Sequence, residues 1–189
     1  MPPSRSPLRL VRPASTHAPA DADTPVDPGD LDAVFRRFAP YVAKVGARLL
    51  GRADEVDDLV QDVFLDAIRG LRSLREAGAV RAWLATVTVR HARRRLRRRA
   101  LWSVLGLDRG VDAELLVDEG ASPETRAEVM AVYRALDGVA ADARIAWILS
   151  VVEGHALEEV AALGGYSRAT AHRRIQTAQA AVEAALRVR

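Results

Sequence analysis

"DEVDDLVQDVFLDAIRGL" occupies residues 54–71, and the reading of this stretch decides the fold class. Val56, Leu59, Val60, Val63, Phe64, Ala67 and Ile68 recur at i, i+3 and i+4, which is the pattern of a helix with one buried face. Glu55, Asp58, Asp62 and Asp66 are then expected together on the outward face. The segment 54–67 holds six acids and no base, whereas "HARRRLRRRA" (91–100) puts six arginines into seven consecutive positions. A dense acidic helix and a dense basic one lie close together in the chain.

Working outward, the helical pattern continues on both sides. Upstream, Leu31, Val34, Phe35, Phe38, Val42, Val45, Leu49 and Leu50 follow helical spacing, with Pro40 an expected kink and Gly51 an expected stop. Downstream, a polar loop "LRSLREAGAV" (71–80) leads into a third helix whose apolar stripe is Val80, Trp83, Leu84, Val87 and His91. The arginine run forms its second half. Trp83 and His91 share the phase of that stripe, so both are expected to pack rather than to stack on a base or hold a ligand.

The segment 100–121 breaks the pattern with three glycines and scattered acids, and reads as a linker with one short helical turn. A second helical block opens at "SPET" (122–125), where Ser122 is a good N-cap and Pro123 fits the first helical position. Val129, Val132, Tyr133 and Leu136 mark its inner face. A further helix carries Ile145, Ile148, Leu149 and Val152 and is expected to end at Gly154. Then come "ALEEVAAL" (156–163), a tight "GGYS" (164–167) and "RATAHRRIQTAQAAVEAAL" (168–186). Ser167 should cap this last helix, with Ala171, Ile175, Ala178 and Val182 inward. Two helices joined by a glycine turn, the second rich in Arg, His and Gln, describe a helix-turn-helix.

Composition sets the outer bounds. The chain has 189 residues, 49% of them hydrophobic, enough for one medium domain or two small ones. Its basic residues are one lysine, Lys44, and 27 arginines. Arginine is the better fork for phosphate and base edges, although GC-rich coding favours the same composition. The absence of cysteine excludes disulfides and thiolate metal sites and suits a cytoplasmic location. No apolar run is long enough to span a membrane. Seven of the nine prolines lie in the first 28 residues, which have no apolar core of a signal peptide and read as a disordered tail. No strand pattern or internal repeat is visible. The four histidines are dispersed, and no glycine-rich phosphate loop follows a strand, so no catalytic constellation, metal site or cofactor is expected.

A run as dense and one-signed as 93–99 points to nucleic acid, because neighbouring arginines repel unless phosphates offset them. The alternative is a solvated helix end favoured by its dipole. Carboxylates would repel DNA. The acidic helix therefore suits a basic protein partner, or else merely keeps the surface soluble.

The order of these parts resembles the extracytoplasmic-function class of bacterial RNA polymerase sigma factors. "FRRFAPYVAKVGARLLG" (35–51) is similar to the first helix of sigma region two, and "DEVDDLVQDVFLDAIRGL" to the family's polymerase-binding helix. "VRAWLATVTVRHARRRLRRR" (80–99) resembles the helix that follows. "VVEGHALEEVAALGGYSRATAHRRI" (151–175) aligns with the region-four helix-turn-helix. Departures are Arg90 in place of the usual Asn, Arg94 in place of an acid, and "LDGVAADAR" in place of a proline-rich lead. Ala156 also replaces a Ser or Thr cap, at a cost of about 1 kcal/mol.

The resemblance implies an all-α chain of two small helical domains joined by a flexible linker. The expected organisation is a tail (1–29), region two (30–99), a linker (100–122) and region four (123–189). It implies a non-enzymatic factor that binds core RNA polymerase and directs promoter recognition and transcription initiation. Asp57, Asp58, Gln61 and Asp62 would dock on the β′ clamp helices, and the β subunit is a further contact. Arg90, Arg93, Arg94, Arg97 and Arg98 would face promoter DNA near the melted segment, with loop 71–80 receiving an extruded base. Arg168, His172, Arg173 and Gln176 would read the upstream promoter element. The linker acids Asp108, Asp112, Glu114, Asp118 and Glu119 would follow the nascent-RNA route. The resemblance also admits an anti-sigma partner, with "LWSVLGL" (101–107) either in that contact or packed on region two. The rival reading is a stand-alone helix-turn-helix regulator or architectural DNA binder, which leaves the acidic helix without a role.

Overall fold

The computed structural model describes residues 26–71, 74, 78–104, 116–117 and 120–187. Residues 1–25 of the expected tail, half of loop 71–80 and the five linker acids lie outside the described residues. Every regular element described is helical, and the seven α-helices pack as two separate units, α1–α3 and α4–α7.

In the first unit, α1 is Leu31–Leu50, α2 is Val56–Gly70 and α3 is Ala79–Val104. Asp30 caps α1 by accepting the Ala33 N–H at 2.9 Å. The helix runs on through Pro40 and stops at Gly51, whose φ of 64° is the left-handed geometry that glycine adopts without cost. The core is Val34, Phe38, Val42, Leu49, Leu50, Leu59, Val63, Leu84, Val87 and Leu96, all buried. Gly46 lets α1 and α2 approach closely: a Cβ there would lie 2.2 Å from Leu59 Cδ2. Helix α3 continues past residue 99, where the linker was expected, because Ala100, Leu101 and Trp102 contain no helix breaker.

In the second unit, α4 is Pro123–Asp137, α5 is Ala141–Trp147, α6 is Leu157–Gly164 and α7 is Arg168–Arg187. Ser122 caps α4 as expected, accepting the Thr125 N–H at 3.2 Å. Helix α5 widens into a π-helical stretch, Ile148–Val152, rather than ending as an ordinary helix. The chain then turns at Gly154, with φ of 77°. Ala156 has no side-chain acceptor for α6, but Glu159 still accepts the Ala156 N–H at 2.9 Å, half of a capping box. Gly165, φ 65°, makes the turn to α7, which Ser167 caps through the Thr170 N–H.

Candidate functional site

The acidic stripe of α2 borders the buried face instead of opposing it. Glu55, Asp62 and Asp66 lie along the edge that meets α3, and only Asp58 of the expected outward set is fully exposed. Arg95 donates to Asp62 at 2.7 Å, and Arg90 to Asp66 at 2.6 Å. Arg99 donates to Glu55 at 2.7 Å and to the Leu50 carbonyl at 2.8 Å, with its side chain only 9% exposed. Part of the acid and base that looked like two surfaces is therefore one seam between α2 and α3, buried at Arg99 and open to solvent at Arg90.

His91 completes it. Its ring is buried as expected, and Nε2 lies 2.8 Å from Asp66 Oδ2. An ionised carboxylate only accepts, so Nε2 carries the proton in this bond. The His91 hydrogen bond, with help from Arg90, holds the Asp66 carboxyl below its usual range despite partial burial. His91 Nδ1 is buried without a hydrogen-bond partner, 3.8 Å from Asp62. Trp83 packs half-buried against Gly70, where a Cβ would lie 2.3 Å from its ring.

The outer face of α2 is different. Asp57, Asp58 and Gln61 are exposed, and Asp57 and Gln61 line a shallow groove with Val60, Phe64, Leu65, Ile68 and Phe35. Leu65 and Ile68 are each 49% exposed and Phe35 47%, although Phe35 sets its ring edge against Phe64 at 4.8 Å. Phe35 and Ile68 were expected inside. The groove could have been found in the sequence: Asp57, Gln61 and Leu65 recur every four residues, with Ile68 three further on. Asp62 sits at the edge of this face but is tied to Arg95, unlike its three companions. On α3, Arg94, Arg97 and Arg98 are exposed and Arg93 is half-buried. The run thus splits between the seam and an outward strip.

The second unit builds a firm base beneath α7. Ala171, Ala178 and Val182 are fully buried, and Ile175 partly. Arg174 lies 3.9 Å over the Tyr166 ring and 3.3 Å from Asp142, while Tyr166 Oη donates to Asp142 at 3.0 Å. Trp147 Nε1 donates to Gln179 at 2.7 Å, and buried Arg144 pairs with Asp137. These contacts fix the α6–α7 turn and leave Arg168, Ala169, His172, Arg173 and Gln176 exposed on the opposite face. Arg168 also reaches Glu158 at 3.1 Å, in a pair open to solvent on both sides.

Among the described residues, no helix is long and apolar enough to cross a membrane.

Comparison with known proteins gives these surfaces a context. Residues 34–101 match the Sigma-70 region 2 family. The ECF RNA polymerase sigma factor SigM of Mycobacterium tuberculosis is 32% identical over 151 residues, 79% of this chain and 74% of its own. RNA polymerase sigma factor CarQ of Myxococcus xanthus is also 32% identical over 151 residues, 74% of this chain and 82% of its own. A solved structure of the sigma factor RpoE with the anti-sigma factor NepR, from Bartonella quintana, matches with a TM-score of 0.63 at 22% identity. That match covers 84% of this chain and 98% of the other, and it is a likeness of fold.

Proposed function

The chain belongs to the extracytoplasmic-function sigma factors of bacterial RNA polymerase, and from that premise we propose how its surfaces divide the work of initiation. As a sigma factor it binds core polymerase and directs transcription from promoters. Such proteins are initiation factors, not enzymes. The outer face of α2 docks on the β′ clamp helices through Asp57, Asp58 and Gln61, with the β subunit as a further contact. Asp62 acts at its margin, where its bond to Arg95 limits what it can offer a partner.

The observation that carries this reading is the pairing of exposed acids with an exposed apolar groove on one helix face. Carboxylates give rate and register toward a basic partner, and the apolar groove gives residence time. Arg94, Arg97 and Arg98 hold promoter phosphates, with Arg90 and Arg93 beside them. Arg168, His172, Arg173 and Gln176 approach base edges in the major groove, as the first turns of a recognition helix do. Regions two and four correspond to α1–α3 and α4–α7, working in the cytoplasm, and an anti-sigma protein is a partner of the same class as RpoE's. A stand-alone helix-turn-helix regulator would leave the α2 groove idle.

The test is a binding titration of core polymerase with the full chain. Asp57→Arg with Asp58→Arg should weaken binding at least roughly tenfold, about 1.4 kcal/mol, while circular dichroism stays unchanged. Unaltered binding would remove the docking assignment. Asp62→Arg is a poor probe, because it would also break the bond to Arg95.

A further inference from the structure

The groove on the outer face of α2 opens beside the point where the N-terminal tail joins the fold. Phe35, one of its lining residues, stands four residues into α1, about 6 Å along the helix axis from Leu31. Residues 1–25 lie outside the described residues, and their sequence is uneven in charge. Positions 1–20 hold Arg5, Arg9 and Arg12 and no acid, with Leu8, Leu10 and Val11 set among the arginines. Positive charge beside apolar side chains is what the groove asks of an occupant, because it offers acids beside an apolar floor.

The groove side is free to receive it. Asp57 and Asp58 are exposed and make no ion pair among the described residues, and Leu65 and Ile68 are half exposed. The acids nearer the tail are engaged. Asp27 accepts the Gly29 N–H, Asp30 caps α1, and Asp32 pairs with Arg36 at 2.8 Å. Asp21 and Asp23 offer charge but stand in a stretch, 18–25, with no large apolar residue. Length also suffices. Thirteen residues, 13–25, separate Arg12 from Val26. Extended they reach at most about 45 Å, and a coil of that length spans roughly 20 Å. Residues 105–115, also outside the described residues, have three acids against one base and would be repelled by Asp57 and Asp58.

We propose that residues 5–12 dock in the α2 groove of their own chain. Leu8, Leu10 and Val11 cover Phe35, Leu65 and Ile68, while Arg9 and Arg12 meet Asp57 and Asp58. The contact makes the tail a competitor of core polymerase for one face, a consequence that rests on the polymerase docking proposed for that face. A short tether supplies an effective concentration in the millimolar range, so a weak contact can shield the groove and still yield to polymerase.

The experiment uses the full chain. It has no cysteine, so Ser4→Cys gives a single site for a nitroxide spin label. The label should broaden the amide signals of Leu65 and Ile68. Arg9→Glu with Arg12→Glu should remove that broadening, and so should Leu8→Asn with Val11→Asn. Both pairs, without the label, should bind core polymerase roughly three- to tenfold more tightly than wild type. Broadening equal in wild type and variants would be mere tethering and would overturn the proposal. Broadening that passes from a spin-labelled chain to a separate, isotopically labelled one would overturn it by making the occupant a second copy. Core binding that is unchanged or weaker in the tail variants would overturn the competition, the weaker case making the tail a polymerase contact. If instead Asp57→Arg with Asp58→Arg binds core as wild type does, the docking reading of the groove fails, and the broadening still decides whether the tail sits there.

Discussion

The two units both carry arginines on the helix proposed to meet DNA, yet they hold their counter-charges in different places. In the first unit the acids that neutralise α3 come from α2 and the turn before it, so Arg90, Arg95 and Arg99 are drawn onto the neighbouring helix. In the second unit the principal ion pairs lie behind α7: Arg144 meets Asp137, and Arg174 meets Asp142. The first turns of α7 are then left with His172, Arg173 and Gln176 outward. Charge density in a sequence is therefore a poor measure of charge available to a ligand. Along α3, neighbouring arginines alternate between structural work and exposure. Along α7 the same change falls once, between exposed Arg173 and Arg174, which Asp142 of α5 and Tyr166 hold.

The sharpest way to break this contrast is to remove a structural arginine. Arg99→Ala would leave the Leu50 carbonyl without its buried donor and the Glu55 carboxylate with only Arg52, 3.7 Å away. Breaking such a pair one-sidedly costs about 3–5 kcal/mol, and the partial exposure of Glu55 places the expectation near the lower figure. Hydrogen exchange of the α1–α3 amides in the full chain reads this directly. Arg98→Ala, one residue away and exposed, should stay within about 0.5 kcal/mol of wild type. Similar protection in both variants would mean the seam does not hold the unit together.

That contrast also explains what could be read in advance. Helix phase is a local property, so the apolar stripes of α1, α2 and α7 and the caps at Ser122 and Ser167 follow from neighbours three and four residues apart. The fate of Asp62 and Asp66 is not local. Both stand at the edge of the α2 stripe, where the same position is outward or inward according to which side the next helix packs. Their partners lie 33 and 24 residues away, on a helix whose placement no periodicity specifies. Phe35 and Ile68 were misplaced for the complementary reason: an apolar residue at the margin of a stripe is exposed when no helix covers that side. The π-helical stretch at 148–152 has no signal of its own, since its residues satisfy the ordinary helical pattern.

A smaller effect is expected on the face of α7 proposed to read bases. Arg173 is exposed beside His172 and Gln176, while Arg174 next to it is committed to Tyr166 and Asp142. An arginine bonded twice to guanine contributes about 1–3 kcal/mol of discrimination. Arg173→Ala should therefore cost that much on the preferred promoter and relax preference at one base position in a promoter-library profile. Uniform loss at every position would turn Arg173 into a phosphate contact and remove the difference drawn between the faces of α3 and α7.

The smallest effect comes from two adjacent residues of α3, and it tests the division of labour within one helix. Arg94 is exposed, whereas the Arg95 side chain is 12% exposed and lies 2.7 Å from Asp62. Each phosphate neutralised by a protein cation releases counterions and contributes about 0.9 to the slope of log affinity against log salt. Losing one such contact changes affinity only several-fold across ordinary salt concentrations, so the slope is the cleaner observable. Arg94→Ala holoenzyme should bind its promoter with a slope shallower by about 0.9 on duplex contacts. Arg95→Ala should leave the slope as it was, even if it loosens the α2–α3 seam and lowers affinity at every salt concentration. Free Asp62 would then stand nearer the DNA with its charge unmatched, which weakens binding without removing a phosphate contact. If the two variants give the same slope change, Arg95 reaches the phosphates as well as Asp62, and the seam is a resting arrangement that DNA displaces.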